Sequence, residues 1–354
     1  AAIPASLLLL AACPPSGSTT PVAPRQSVRI RSFTESAPAR LVVPAGPFVF
    51  SAAQHGLDRW SFEGSRIEHL PLSAEHGLPG DRVQALSYDR ERRWMWVATD
   101  GGVALHDVGA MTFAAVPPAP ETLGLGDLAG VILAPAMDGG LWLGHPHGLF
   151  YTDATGQWAG TAIGEGVTAL HRDADGGLWI GTGHGVIERK PTGETYRYGP
   201  EDGCVIETVR AIARAPGGGT LLVGDDHAGA QRVSTLIGGV CTSYRVAPDV
   251  RWDAVAARDD VLVLLSGGSL YELKRRTSGA GVLRRDGLRL IAVGAPKGAR
   301  SPYVVAELEV RMPPVPQLLA AEGDHVYIAT RDLGIERLGP PGTPALWLRR
   351  SDLV

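Results

Sequence analysis

The chain has 354 residues, 33 basic and 37 acidic, a formal net charge of −4 and 44% hydrophobic residues. That length holds one large domain or two to three small ones, with enough apolar residues for a sizeable core, and a near-neutral charge without basic runs argues against a nucleic-acid partner. Gly (46) and Pro (27) make up about a fifth of the chain, which predicts many turns, and the composition excludes collagen, coiled coil, multi-span membrane protein and disulfide mini-scaffold.

The chain opens AAIPASLLLLAAC. The apolar run Ser6 to Ala12 is too short to span a bilayer of about 30 Å. It reads as the end of a secretory signal peptide. Leu10-Ala11-Ala12-Cys13 resembles the lipobox of bacterial lipoproteins, which implies cleavage before Cys13 and a diacylglycerol on its sulfur. Residues 14–26, rich in Pro, Ser and Thr, read as a tether. The expected division is a signal remnant at 1–12, a lipidated Cys and tether at 13–26, and a folded domain at 27–350.

Seven segments then share one pattern: an apolar strand, a short turn ending in Gly, and a second strand. They begin at Phe48, Trp94, Gly139, Gly176, Thr220, Val261 and His325. The turn glycines are Gly56, Gly102, Gly148, Gly185, Gly229, Gly268 and Gly334, spaced by 46, 46, 37, 44, 39 and 66. The first five intervals average about 42, the period of a four-stranded propeller blade. In the fourth repeat the four strands a to d are predicted at Val167–His171, Leu178–Thr182, Gly185–Arg189 and Glu194–Tyr198. The a strands are rich in Ala and Val, as at 83–86, 167–170 and 253–257, which suits strands crowded round an axis. The pattern predicts an all-β, seven-bladed propeller of four-stranded antiparallel blades. Residues 27–33 and 345–350 both read as d strands of the seventh blade. In the over-long interval, 287–293 is expected as the sixth d strand and 303–310 as part of an inserted hairpin.

His76 to Asp107, and most closely DADGGLWIGTGHGV from Asp173 to Val186, resemble the two-component-regulator propeller repeat. The resemblance covers roughly 27–350, strongly in repeats two to four. It implies the propeller fold. In that family the repeats form periplasmic sensing domains of hybrid histidine kinases, usually two propellers in tandem. Within these 354 residues one propeller is expected and no kinase, so the family's fold carries over and its signalling output does not.

His55, His147, His184 and His227 sit at four b–c turns. Turns on neighbouring blades lie on the order of 10 Å apart, whereas zinc needs nitrogens at about 2.0–2.1 Å, so no metal site is expected. His145 and His147 share one turn but make only two ligands. Cys204 and Cys241 form an even pair in an exported chain, which favours a disulfide. The strand map opposes it, setting Cys204 in a d–a loop and Cys241 near the other face. Arg82, Arg210 and Trp252 lie at starts of a strands and are the expected ligand or partner residues on the d–a/b–c face, offering planar charge-assisted hydrogen bonds and a stacking surface.

No nucleophile elbow, HExxH, phosphate loop or calcium loop is present. The expected function is a non-catalytic, lipid-anchored, monomeric binding module of the bacterial envelope, without cofactor. Its partner would be an envelope protein or small molecule, and its only membrane contact the lipid. Two alternatives stand. Streptogramin-type lyases are seven-bladed propellers with similar repeats, but the positions where their blades usually carry Glu read Thr99, His145, Thr182, Asp225 and Thr330 here. A carbohydrate or peptidoglycan binder would need exposed aromatics on one face.

Overall fold

A computed structural model describes residues 40–52, 56–63, 66–215, 218–247, 251–252, 254–258, 261–267, 269–275, 289–292, 303–307, 316–322, 325–330, 334–338 and 346–348. Cys13, the tether, residues 27–33 and His55 lie outside them.

The strands form seven antiparallel sheets in a ring. Blade 1 holds β1 (Leu41–Ala45), β2 (Phe48–Ala52), β3 (Leu57–Glu63) and β4 (Arg66–Leu72). Blade 2 holds β5 (Val83–Asp89), β6 (Trp94–Thr99), β7 (Gly102–Asp107) and β8 (Ala114–Ala115). Blade 3 holds β9 (Ile132–Pro135), β10 (Leu141–His145), β11 (Gly148–Thr152) and β12 (Trp158–Gly160). Blade 4 holds β13 (Val167–Arg172), β14 (Leu178–Thr182), β15 (Gly185–Arg189) and β16 (Thr195–Tyr198), within a residue of expectation. Blade 5 holds β17 (Ile206–Arg214), β18 (Thr220–Asp226), β19 (Gln231–Ile237) and β20 (Val240–Ala247). Blade 6 begins with β21 (Ala254–Arg258), β22 (Val261–Ser266) and β23 (Ser269–Arg275). Blade 7 holds β26 (Pro316–Glu322), β27 (His325–Thr330), β28 (Gly334–Leu338) and β29 (Leu346–Leu348). Among the described residues there is no α-helix, only short 3-10 turns at Ala74–His76, Glu121–Leu123 and Pro200–Asp202.

The long interval departs from expectation. β24 (Arg289–Ala292) pairs with β20 as a fifth strand of blade 5, and β25 (Tyr303–Glu307) is the outer strand of blade 6. Both are short apolar strands, and alternation fixes which face a strand buries but not which open edge it joins. β29 closes blade 7 from within its own repeat.

Each pair of neighbouring blades buries its own apolar cluster. Phe50 meets Met95 and Val97 between blades 1 and 2, and Trp96 meets Leu133 and Leu143 between 2 and 3. Leu149 meets Ile180 between 3 and 4, and Trp179 meets Val209 between 4 and 5. Val233 meets Leu264, Val263 meets Ile328, and Trp60 meets Tyr327 to close the ring. The repeated Gly of strand b has a steric reason. A Cβ on Gly144 would stand 2.5 Å from Val167 Cγ1, and one on Gly181 2.7 Å from Val209 Cγ1, each on the next blade's inner strand. Only a bare backbone admits that approach.

Candidate functional site

The ring has two faces. One carries the d–a and b–c connections, the other the a–b and c–d turns.

On the d–a/b–c face the residues of the b–c turns satisfy one another. Thr99 Oγ1 donates to Gly102 O (3.1 Å) and accepts from Gly101 N (3.2 Å). Thr182 Oγ1 donates to Gly185 O (3.0 Å) and accepts from His184 N (3.0 Å). In blade 3 His145 takes that place: its Nδ1 accepts from His147 N (3.1 Å) and its Nε2 donates to Asp127 O (2.9 Å). Both His145 nitrogens are thereby occupied, leaving only His147 of that pair open to a metal. Burial lowers the His145 pKa, which keeps the ring neutral. His184 contacts Glu165 (3.3 Å) and His227 contacts Glu207 (3.1 Å). Burial pushes the Glu165 carboxyl up, but the hydrogen bond and charge of Arg197, with His184 beside it, hold it below its usual range. Among the described residues no three His, Cys, Asp or Glu side chains gather to hold a metal.

The structure does not gather the three residues singled out by sequence. Arg82 is exposed at the start of β5, where its N–H donates to Asp100 Oδ1 (3.2 Å). Arg210 lies on β17, three blades away, with its guanidinium 2.6 Å from Asp225 Oδ2. Trp252 corrects the expectation of an exposed stacking ring. It is 4% exposed, packed among Val233, Leu264 and Tyr244 in the wall between blades 5 and 6. Its backbone N–H donates to Gln231 Oε1 (2.5 Å).

Cys204 and Cys241 are bonded, with Cα atoms 5.2 Å apart. The flat strand map missed this because a sheet twists by about 20–25° per strand, so the outer strand of a blade lies steeply across the inner one. The start of β20 thereby meets the loop leaving blade 4. Ser243 Oγ donates to Gly203 O (2.9 Å) and accepts from Val205 N (3.1 Å) beside the bridge. Blade 2 has the same joint without sulfur. Gly77 and Gly203 each follow a 3-10 turn with φ near +85°, and a Cβ on either would strike the carbonyl of Phe113 or Cys241. Leu78 and Phe113, buried together, thus stand where Cys204 and Cys241 stand.

Two concavities lie on the a–b/c–d face. A cleft of about 440 Å³ between blades 4 and 5 has Asp173, Trp179, Glu188, Lys190 and Tyr198 on one side and the Gly218-Gly219 and Gly238-Gly239 turns on the other. A second, of about 350 Å³, runs toward the axis between Arg90, Glu91, His171 and Arg172. They meet at Asp173, Ala174 and Arg214. Tyr198 Oη donates to Glu188 Oε2 (2.9 Å), and Lys190 pairs with the same carboxylate. Burial and that carboxylate raise the Tyr198 pKa to about 12. Burial also pushes Asp173 up, but the nearby His171, a hydrogen bond from Trp179 Nε1 (2.6 Å) and the charge of Arg214 bring it below its usual range. Arg172 Nη2 lies 3.3 Å from Glu91 Oε1. Sequence reading passed over this face because its short Gly, Asp and Arg hairpins look like ordinary turns.

These features define a seven-bladed β-propeller with one self-paired face and one cleft-bearing face. Residues 162–184 match the model of the two component regulator propeller family. No curated protein matches the sequence. Among solved structures, PorZ, a bacterial surface component of the type-IX secretion system of Porphyromonas gingivalis, aligns with a TM-score of 0.63 at 15% identity over 90% of this chain. The chain spans 39% of that protein's length. A streptogramin B lyase aligns with a TM-score of 0.58 at 14% identity, over 86% of this chain and 93% of the lyase. YCF48 bound to D1 peptide aligns with a TM-score of 0.55 at 11% identity, over 89% and 97% of the two chains. At such identities the likeness is one of fold.

Proposed function

We propose that this protein is a non-catalytic binding module of the bacterial cell envelope, exported, monomeric and held to the membrane by lipid on Cys13. The observation that carries the reading is the use made of the b–c turn positions. Where lyase blades usually carry Glu, Thr99, His145 and Thr182 are spent on closing their own turns, and Asp225 is spent on Arg210. PorZ is a surface component and YCF48 was captured with a peptide, which is the kind of role a propeller of this shape supports. For the carbohydrate alternative, Trp60, Trp96, Trp179 and Trp252 are buried in the walls, whereas Trp94, Trp142 and Trp158 are partly exposed and Tyr196 is exposed.

Two experiments test this. Globomycin-sensitive processing and detergent partitioning should both vanish in Cys13→Ala; a variant that behaves like wild type removes the anchor. A pull-down from envelope extract should recover a specific partner with the folded wild-type domain. Arg82→Ala/Arg210→Ala in the same experiment asks whether the d–a/b–c face makes the contact. Trp252 is left intact there because its truncation attacks the core.

A further inference from the structure

Five large hydrophobic side chains are exposed among the described residues: Met111 (50%), Met137 (44%), Tyr196 (49%), Ile237 (50%) and Val240 (67%). All five lie on the a–b/c–d face. Met111 is in the c–d connection of blade 2 and Met137 in the a–b turn of blade 3. Tyr196 lies just after the c–d turn of blade 4, and Ile237 and Val240 flank the Gly238-Gly239 turn that lines the larger cleft. The same face holds two arginine–tryptophan stacks, Arg92 over Trp94 (5.9 Å) and Arg189 over Trp142 (4.7 Å). Met, Tyr, Trp and Arg are the residues that protein interfaces favour, and Trp, Tyr and Arg dominate their binding energy. The residues spread over four blades, wider than a small-molecule pocket.

Charge narrows the partner. Arg172 is paired with Glu91 and Lys190 with Glu188. Asp173 is held by Trp179 and lies 3.6 Å from His171. Arg214 is exposed at the junction of the two clefts, where its charge acts on Asp173 and its guanidinium makes no ion pair within 4 Å and no side-chain hydrogen bond among the described residues. Four residues earlier on the same strand, Arg210 has its guanidinium committed to Asp225. A planar fork of donors in a cleft suits a carboxylate, which it can hold through two parallel hydrogen bonds.

We infer that the a–b/c–d face of blades 2–5 is a docking surface for an extended polypeptide segment that places an Asp or Glu side chain on Arg214 and apolar side chains against Met137, Tyr196 and Ile237. This rests on the binding-module reading and deepens it by naming the face and the partner's chemistry.

The test is selection of a phage-displayed dodecapeptide library on the folded domain, followed by affinity measurement with synthetic peptides. Enriched peptides should carry an acidic residue flanked by apolar ones. Their affinity should fall at least about tenfold in Arg214→Ala, and similarly when the acidic residue is replaced by its amide. Arg214→Lys, which keeps the charge and loses the fork, should fall between. Met137→Ala/Tyr196→Ala should weaken binding, and Arg82→Ala/Arg210→Ala should leave it unchanged. All these side chains are exposed, so the variants should fold, which circular dichroism checks. No enrichment, or peptides that bind Arg214→Ala as well as wild type, overturns the inference. An envelope partner lost only in Arg82→Ala/Arg210→Ala overturns it too, yet leaves the binding reading standing. Failure to recover any specific partner, with no peptide enriched, removes both.

Discussion

The two faces of this ring are built from the same repeats and treat their charges differently. On the d–a/b–c face, Arg210 meets Asp225, Arg232 meets Asp226, Arg197 meets Glu165, and two histidines meet glutamates. Its loops are tied down by threonine locks, a disulfide and 3-10 turns. On the a–b/c–d face Arg172 and Lys190 are paired too, but the Arg214 guanidinium makes no ion pair within 4 Å among the described residues, five apolar side chains face water, and two clefts meet. A face that satisfies itself holds blades together, whereas one that leaves donors and apolar area open has something to offer a partner. Unusual residues in a loop are therefore a poor guide to binding unless their partners are known.

The contrast between wall and open face is broken most severely at Trp252. If its ring belongs to the wall and not to a site, Trp252→Ala should cost about 3–5 kcal/mol in denaturant unfolding. A near-neutral substitution would return it to the surface. Next comes the loop joint. Cys204→Ser/Cys241→Ser should cost about 2–4 kcal/mol, and dithiothreitol should lower the wild-type melting temperature to match. Cys204→Leu/Cys241→Phe, copying the Leu78–Phe113 pair, should recover part of that loss in reducing buffer. No recovery would mean the two joints are not equivalent.

A smaller effect is expected from acid. His106 is fully buried, stacked on Phe113 with ring centroids 4.3 Å apart, and its Nδ1 lies 2.9 Å from Thr112 O beneath the Met111 turn. Burial holds its pKa below the ordinary 6.5. The unfolded chain therefore takes up a proton first as pH drops. This contribution is intact above about pH 6.5 and is lost below it. His106→Phe should flatten the fall in melting temperature between neutral and mildly acidic pH; an unchanged profile would clear His106 of the role. Smallest is Arg210→Ala, which should change stability by less than about 1 kcal/mol because the pair is half exposed. A larger loss would show that the pair stiffens the channel wall.

The repeat period, the strand bounds of blade 4 and the seven-blade count were legible because turn glycines and alternating apolar residues report directly on local backbone. What escaped is what depends on how strands lie across one another. Twist brought Cys204 to Cys241 although their positions along a flat blade oppose it. The sixth outer strand is Tyr303–Glu307 and not Arg289–Ala292, since two similar strands compete for two similar edges. Trp252 looked available because it begins a repeat, but Gln231 anchors its backbone and neighbouring blades cover its ring. Arg82 and Arg210 are exposed. That Arg210 forms a close ion pair and Arg214 does not could not be read from a strand in which both are simply arginines.

Hydrogen exchange on the domain bound to a selected peptide tests the division between the two faces most directly. Docking on the open face predicts slowed exchange at 137–140, 172–176, 190–196, 214–220 and 237–241, with no change at 81–83, 100–102, 183–185 and 227–229. Protection confined to the second group, with the first unchanged, would contradict it.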